Sequence, residues 1–117
     1  MIAIIDYEAG NLTSVKRGLD YLDIPNRITA EAETIRRARG IIFPGVGAAG
    51  QAMRTLRRTG LDELLRERVD RGIPFLGLCL GSQIVLESTP ENDTLGLGLI
   101  PGHCQRFHPD LTEAGLP

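Results

Sequence analysis

The sequence predicts an α/β fold with a doubly wound, mostly parallel sheet in a single domain. Short apolar runs that fit strands alternate along the chain with segments whose apolar residues recur at helical spacing. Such alternation is typical of parallel strands joined by crossover helices. The 117 residues suffice for one hydrophobic core, and neither an internal repeat nor a linker divides them.

The first part of the chain alternates predicted strands with predicted helices. The run "IAII" predicts a strand over Ile2–Ile5, and the apolar stripe in "NLTSVKRGLDYLD" predicts a helix with Asn11 at its N-cap. Pro25 closes that helical region, after which "NRIT" predicts a second strand and "EAETIRRA" a weak helix. The run "GIIF" predicts the third strand over Gly40–Phe43.

The second part adds a fourth strand between helices. The segments "QAMRTLRRTG" and "LDELLRERVDRG" predict two helices, of which the first stops at its terminal glycine and the second is amphipathic. The nearly all-apolar "PFLGL" predicts a strand that is buried on both faces. A helix over "LGSQIVLES" and a last short strand around "CQRF" complete the predicted elements.

Composition and charge narrow the class of protein. A net charge of −2 gives no indication of a surface for nucleic acid or for an anionic membrane. The two cysteines do not make a disulfide framework, and the start of the chain lacks the features of a signal peptide. No apolar run approaches the length that spans a bilayer. We therefore expect a cytoplasmic protein, and the sequence predicts neither a metal site nor a cofactor.

Cys79 lies at the predicted junction between a strand and a helix. Gly77 and Gly81 flank it and allow close backbone packing. A thiol at this position would lie near a helix N-terminus, where unpaired N–H groups and the helix dipole stabilise a thiolate. The alternative is that Cys79 is a small buried hydrophobic residue, as free cysteines often are.

Three unusual loops follow predicted strands, namely "DYEAGN", "PGVG" and "CLGSQ". In open α/β sheets ligands bind outside the carboxyl ends of the strands, so we expect these loops to gather at one edge of the sheet. A nucleophile beside loops rich in backbone donors suits acyl transfer, in which an oxyanion must be stabilised. Taken alone, "PGVG" is also compatible with a simple turn.

The motif "GLCLGSQ" resembles the nucleophile turn of class I (triad) glutamine amidotransferases. The segments "IIDYEAGNLTSV", "FPGVGAAGQAM", "GIPFLGLCLGSQIVLES" and "GLGLIPGHCQRF" resemble the glutaminase subunit of imidazole glycerol phosphate synthase, in histidine biosynthesis. The resemblance covers essentially the whole chain. It implies the N-terminal part of a flavodoxin-like amidotransferase fold, hydrolysis of glutamine to glutamate and ammonia, and a heterodimer in which ammonia passes to a (β/α)8-barrel cyclase subunit.

The same resemblance implies roles for particular residues. Cys79 would be the nucleophile, the Leu80 N–H and the Val46 N–H would be the oxyanion donors, and Asn11 would lie toward the partner subunit. The residues assigned by resemblance to oxyanion stabilisation and substrate binding are Gly45, Val46, Gly47, Leu80 and Gln83.

Several positions depart from the family pattern. Glu8 stands where glycine is common, so we expect the first loop to lose a positive-φ conformation. Ser82 replaces a methionine, a change that we expect to be tolerated. The triad His and Glu of the family would follow beyond this segment, and His103 and His108 are predicted to have surface or packing roles. We therefore interpret residues 1–117 as one amidotransferase domain, incomplete at its C-terminus, that is inactive by itself.

Two other interpretations stay open. The chain could be a non-catalytic domain that still binds the cyclase, or a cysteine-turn α/β protein of another class, such as a different amide hydrolase or a stress protein. The joint presence of Cys79, Gln83 and "PGVG" favours the glutaminase, because a non-catalytic domain does not need them together.

Overall fold

The computed structural model describes residues 1–8, 11–108 and 110 and contains a parallel four-stranded sheet in the order β2-β1-β3-β4. The strands are β1 (Ile2–Ile5), β2 (Asn26–Thr29), β3 (Gly40–Phe43) and β4 (Phe75–Gly77). All three pairings are parallel, which confirms the predicted fold class. The strand order reverses between β1 and β3, and ligands of such sheets bind at this point.

Five α-helices connect and cover these strands in the described part of the chain. They are α1 (Leu12–Tyr21), α2 (Ala32–Arg37), α3 (Ala49–Thr59), α4 (Leu61–Asp70) and α5 (Leu80–Ile84). Gly60, with φ 75°, ends α3 in the left-handed conformation that favours glycine, as the sequence predicts. None of these helices is long and apolar enough to cross a membrane.

The hydrophobic core lies on one face of the sheet. Side chains at alternate positions of β1 and β3 point to this face, where α3 and α4 cover them. Met53 and Leu56 of α3 and Leu65 of α4 are fully buried there. The other strand residues of this core are Ala3, Ile5, Ile41 and Phe43. This packing fixes the carboxyl ends of β1 and β3, from which two of the three loops emerge.

The opposite face of the sheet is covered only in part by the described residues. Ile28, Ile4, Ile42 and Leu76 are neighbours across the four strands. Ile4 is fully buried, whereas the Leu76 side chain of β4 is 53% exposed. The prediction that "PFLGL" is buried on both faces is therefore wrong, because β4 is the last strand of the described sheet and lacks a covering element on this side.

We predict that this uncovered face binds a dye for apolar surfaces. Leu76 lines a groove with Ile42 and with Leu19 of α1, so Leu76→Ser should lower the fluorescence of bound anilinonaphthalene sulfonate. Leu95→Ser is the matched control, because Leu95 is 66% exposed but does not line the groove. Equal dye binding by the two variants would contradict the prediction.

The region after α5 differs from the predicted one. The helix is only five residues long, and two short antiparallel strands follow it, β5 (Ser88–Thr89) and β6 (Thr94–Leu95). The strand predicted around "CQRF" is absent from the described residues, where a single bridge joins Ser88 to His103. Two backbone hydrogen bonds make this contact, from the Glu87 N–H to the Gly102 carbonyl (2.9 Å) and from the Cys104 N–H to the Ser88 carbonyl (2.8 Å).

Candidate active site

The loops that follow β1, β3 and β4 lie together, as the sequence predicts. Tyr7 and Glu8 line a cavity of about 120 Å³ with Val46 and Gly47. The Gly45–Gly47 loop also lines an open pocket of about 370 Å³ that it shares with Cys79, Leu80, Ser82, Gln83 and Glu91. The loop is thus a wall between two cavities. Of the "DYEAGN" loop, Ala9 and Gly10 lie outside the described residues.

Cys79 lies on the sharp turn between β4 and α5. Its backbone has φ 52° and ψ −115°, a combination that residues other than glycine rarely adopt. Backbone strain of this kind persists where the surrounding structure enforces it, and it is concentrated at functional sites. The thiol is exposed, so the alternative of a small buried hydrophobic residue is wrong.

Close backbone packing enforces this turn. A methyl group built on Gly81 would overlap the Phe43 carbonyl oxygen at the end of β3, and one built on Gly77 would overlap the Gly81 carbonyl oxygen. Ser82 adds two hydrogen bonds, since both its hydroxyl (2.6 Å) and its N–H (2.9 Å) donate to the Cys79 carbonyl. Ser82, which departs from the family pattern, therefore helps to hold the turn that presents the thiol.

The two predicted oxyanion donors do not point into the Cys79 pocket together in this structure. The Leu80 N–H donates to the carbonyl oxygen of Gly45 at 3.3 Å. Since the C=O and N–H of a trans peptide point in opposite directions, the Val46 N–H of the same peptide faces away from Leu80. The assignment of the Leu80 and Val46 amides as the oxyanion donors therefore stays a prediction, and in this conformation the two amides are not presented together.

Tyr7 lies on the other side of that peptide. Its ring stacks on Phe43 with centroids 4.6 Å apart, and the residue is only 2% exposed. Within the described part of the chain its hydroxyl has no well-formed hydrogen bond. Burial raises the pKa of Tyr7, and the nearby Val46 N–H opposes this by lowering the pKa. The Val46 N–H is thus close to the hydroxyl, although the two do not make a well-formed hydrogen bond.

Glu91 is a pocket residue that the sequence analysis missed. Its carboxylate accepts a hydrogen bond from the Ala49 N–H at 3.4 Å, and it lines the Cys79 pocket beside Gln83. Glu91 lies in a short 3₁₀ turn between β5 and β6, twelve positions after Cys79. Only the path of the chain in three dimensions brings it back to the site, so no sequence signal was available.

The backbone conformation of Glu8 differs from the one that the sequence predicts. Glu8 keeps a positive φ of 70°, so the expected loss of this conformation is wrong. Two contacts hold it there, since its N–H donates to Asp6 Oδ1 (3.2 Å) and its carboxylate pairs with Arg58 of α3 (2.8 Å). The first loop is thereby tied to α3.

Asn11 and the two histidines lie away from the pocket walls. Asn11 occupies the N-cap position of α1, as predicted, but its side chain makes no capping hydrogen bond. His103 contacts Ser88 Oγ (2.7 Å) and Glu87, and both histidines are exposed. Neither is among the described residues that line the Cys79 pocket, which agrees with the predicted surface roles.

A thiol on a sharp turn between a strand and a helix, beside a glycine loop at the reversal point of a parallel sheet, is the arrangement found in class I amidotransferases. The comparisons with known proteins agree with this class. The family model for class-I glutamine amidotransferases matches residues 3–92, and this chain belongs to that family. A crystal structure of a glutamine amidotransferase has a TM-score of 0.73 at 21% identity, covering 85% of this chain and 53% of that one. At this identity, the likeness shows the fold.

Sequence relatives narrow the resemblance further. The chain is 59% identical over 118 residues to imidazole glycerol phosphate synthase subunit HisH of Nitratidesulfovibrio vulgaris strain DP4, covering 100% of this chain and 55% of that protein. It is 48% identical to the HisH subunit of Listeria monocytogenes serotype 4a strain HCC23, and the match covers 100% of this chain and 56% of that protein. The chain therefore spans about half the length of the curated relatives that it matches.

We predict that Cys79 reacts with an alkylating agent before Cys104 does. The Cys79 thiol is exposed on its turn, whereas Cys104 is half-buried and its N–H is bonded to the Ser88 carbonyl. Limiting iodoacetamide followed by peptide mass spectrometry measures the two adducts, with Cys79→Ser and Cys104→Ser as controls. Equal labelling, or a preference for Cys104, would contradict the assignment of Cys79 as the reactive thiol.

Proposed function

We propose that this chain carries the nucleophile and the substrate pocket of a glutaminase, which hydrolyses glutamine to glutamate and ammonia. The observation that carries the proposal is the exposed thiol of Cys79 on a strained turn, open to a pocket walled by the Gly45–Gly47 loop and Gln83. Membership of the class I amidotransferase family supports the same reaction.

The reaction would proceed through a thioester on Cys79. The thiolate attacks the side-chain amide carbon of glutamine, and the carbonyl oxygen becomes an oxyanion. The C–N bond then breaks as nitrogen takes up a proton and leaves as ammonia, and water hydrolyses the thioester to glutamate and free thiol. A general base first takes the proton of the Cys79 thiol and then, as an acid, gives a proton to the leaving nitrogen. No histidine lines the described pocket, so we assign this role to the family's His and Glu, in the part of the relatives that this chain does not cover.

The oxyanion would need two backbone donors, and the described conformation offers neither freely. Rotation of the peptide between Gly45 and Val46 would release the Leu80 N–H and turn the Val46 N–H into the pocket. The rotation changes ψ of Gly45 and φ of Val46 together, and glycine at position 45 leaves the first of these two angles unrestricted because it has no Cβ. We therefore propose that the loop rotates when glutamine is bound, so that donors meet the oxyanion only during reaction.

Glu91 and Gln83 fit the polar end of the substrate. The α-ammonium group of glutamine requires a negative partner, and Glu91 is the carboxylate that lines the described pocket. Gln83 can donate and accept hydrogen bonds, which suits it to the glutamine substrate or to the acyl intermediate.

We further propose that the chain works with a cyclase subunit in histidine biosynthesis. The HisH relatives are named as subunits of imidazole glycerol phosphate synthase. By resemblance, the partner is a (β/α)8 barrel that receives the ammonia in the cytoplasm, and Asn11 at the exposed start of α1 lies toward it. Residues 1–117 would then form one domain that comprises about half of the working subunit.

A non-catalytic, cyclase-binding domain is the second candidate, because the described pocket contains no histidine. Glutamate release from glutamine distinguishes the two. The test protein is a joined chain, in which residues 1–117 are followed by the part of the Nitratidesulfovibrio vulgaris relative that lies beyond the match. A joined chain that folds and releases no glutamate would favour the non-catalytic domain.

A further inference from the structure

The Tyr7 hydroxyl is a buried polar group with no role in the reaction as described so far. It is buried beside the Gly45–Val46 peptide and lacks a well-formed hydrogen bond to any described residue. An unsatisfied buried hydroxyl destabilises the conformation that contains it. Such a group calls for an explanation, and one explanation is a second conformation in which the hydroxyl is satisfied.

The neighbouring peptide has two sides that differ in chemistry. Its carbonyl oxygen, on Gly45, faces the Cys79 side and accepts from the Leu80 N–H at 3.3 Å. Its N–H, on Val46, lies on the Tyr7 side, where it affects the hydroxyl. Rotation of this single peptide exchanges the two groups, so the carbonyl oxygen would then face Tyr7.

We propose that Tyr7 is a positioning residue of the oxyanion loop, whose hydroxyl donates to the Gly45 carbonyl once this peptide has rotated. The rotated loop would present the Val46 and Leu80 N–H groups to the Cys79 pocket, and the Tyr7 hydroxyl would gain the partner that it lacks. The effect of Tyr7 on catalysis rests on the proposed glutaminase function. The effect of Tyr7 on which orientation the loop prefers is independent of that function.

Local packing places the hydroxyl where this role requires it. Stacking on Phe43, itself fully buried, fixes the Tyr7 ring. A methyl group built on Gly45 would overlap the Tyr7 hydroxyl and would also lie 3.1 Å from Leu80 Cβ. Glycine at position 45 therefore serves two purposes, since it lets the hydroxyl reach the peptide and leaves ψ on its own side of the peptide unrestricted.

The test is hydrogen exchange of the Leu80 amide in the chain and in its Tyr7→Phe variant. Rotation exposes this amide, and the variant loses the bond that favours rotation, so exchange at Leu80 should slow about tenfold. The Leu78 amide, bonded to the Phe43 carbonyl at 3.0 Å, is the internal reference and should not change. General loosening of the fold would accelerate exchange at both positions, so the expected sign excludes a merely structural role.

Tyr21→Phe is the matched control, because it removes a hydroxyl from a residue that is 87% exposed on α1. It should leave exchange at Leu80 unchanged. Exchange at Leu80 that is equal or faster in Tyr7→Phe would overturn the proposal, whatever the activity of the enzyme.

A second measurement separates this proposal from the proposed function. In the joined chain, Tyr7→Phe should lower kcat for glutamine about tenfold with KM and the rate of Cys79 alkylation unchanged, because only the oxyanion donors are affected. Slower Leu80 exchange together with an inert joined chain would support the role of Tyr7 in the loop and contradict the glutaminase. An active joined chain whose kcat is the same in Tyr7→Phe and Tyr21→Phe would overturn the positioning role.

Discussion

The joined chain is expected to release glutamate from glutamine at a rate at least about 10⁴-fold above that of residues 1–117 alone. The described pocket holds the thiol of Cys79, the glycine loop and Glu91, but no histidine among its lining residues. Nucleophile and base act as one unit in triad enzymes, so either one without the other leaves only residual catalysis. The measurement is glutamate release with the cyclase subunit of the same relative present.

Two cysteine variants of the joined chain serve as a matched pair. Cys79→Ala should abolish glutamate release, since no thioester can form without the thiol. Cys104→Ala should retain it, because Cys104 lies outside the Cys79 pocket, on the segment that bridges to β5. If residues 1–117 alone matched the joined chain, a base would have to be present in them, and His103→Ala and His108→Ala would identify it.

The parts of the fold that the sequence predicts well depend on local patterns. The four strands of the sheet and the helices α1 to α4 follow from apolar periodicity over a few residues, and Gly60 ends α3 because glycine adopts positive φ readily. The meeting of the three loops also follows from such patterns. Carboxyl ends of parallel strands lie at one edge, so the predicted strands bring the three loops to that edge, and the pairing of β3 with β4 in the structure then places Cys79 beside the Gly45–Gly47 loop.

The errors concern properties that depend on distant parts of the molecule. The burial of Leu76 depends on what covers β4, and the single bridge between Ser88 and His103 depends on how two separate segments meet in space. Glu8 adopts positive φ because Asp6 and Arg58 hold it, and no propensity scale includes these contacts. The orientation of the Gly45–Val46 peptide likewise depends on a distant contact, the hydrogen bond from the Leu80 N–H to the Gly45 carbonyl oxygen.

The turn that carries Cys79 should be the least tolerant part of the chain to a small substitution. Gly81→Ala would place a methyl group on the backbone carbonyl oxygen of Phe43 and 3.2 Å from the Phe43 ring. The helix α5 would have to move away from β3, in a region where Leu80 and Ile84 belong to the core. Overpacking of this kind costs about 2 to 3 kcal/mol of unfolding free energy, and it should lower Tm by about 10 °C.

Gly18→Ala is the matched control for this prediction. Gly18 lies inside α1, and a methyl group built on it meets nothing within 4 Å. Because alanine is favoured over glycine inside a helix by about 0.5 to 1 kcal/mol, Gly18→Ala should raise Tm. Thermal unfolding followed by circular dichroism gives both shifts, and opposite signs are expected for the same chemical change. If Gly81→Ala unfolded at or above the temperature of the parent chain, close packing would not be what strains the Cys79 turn, and the strained backbone would need another cause.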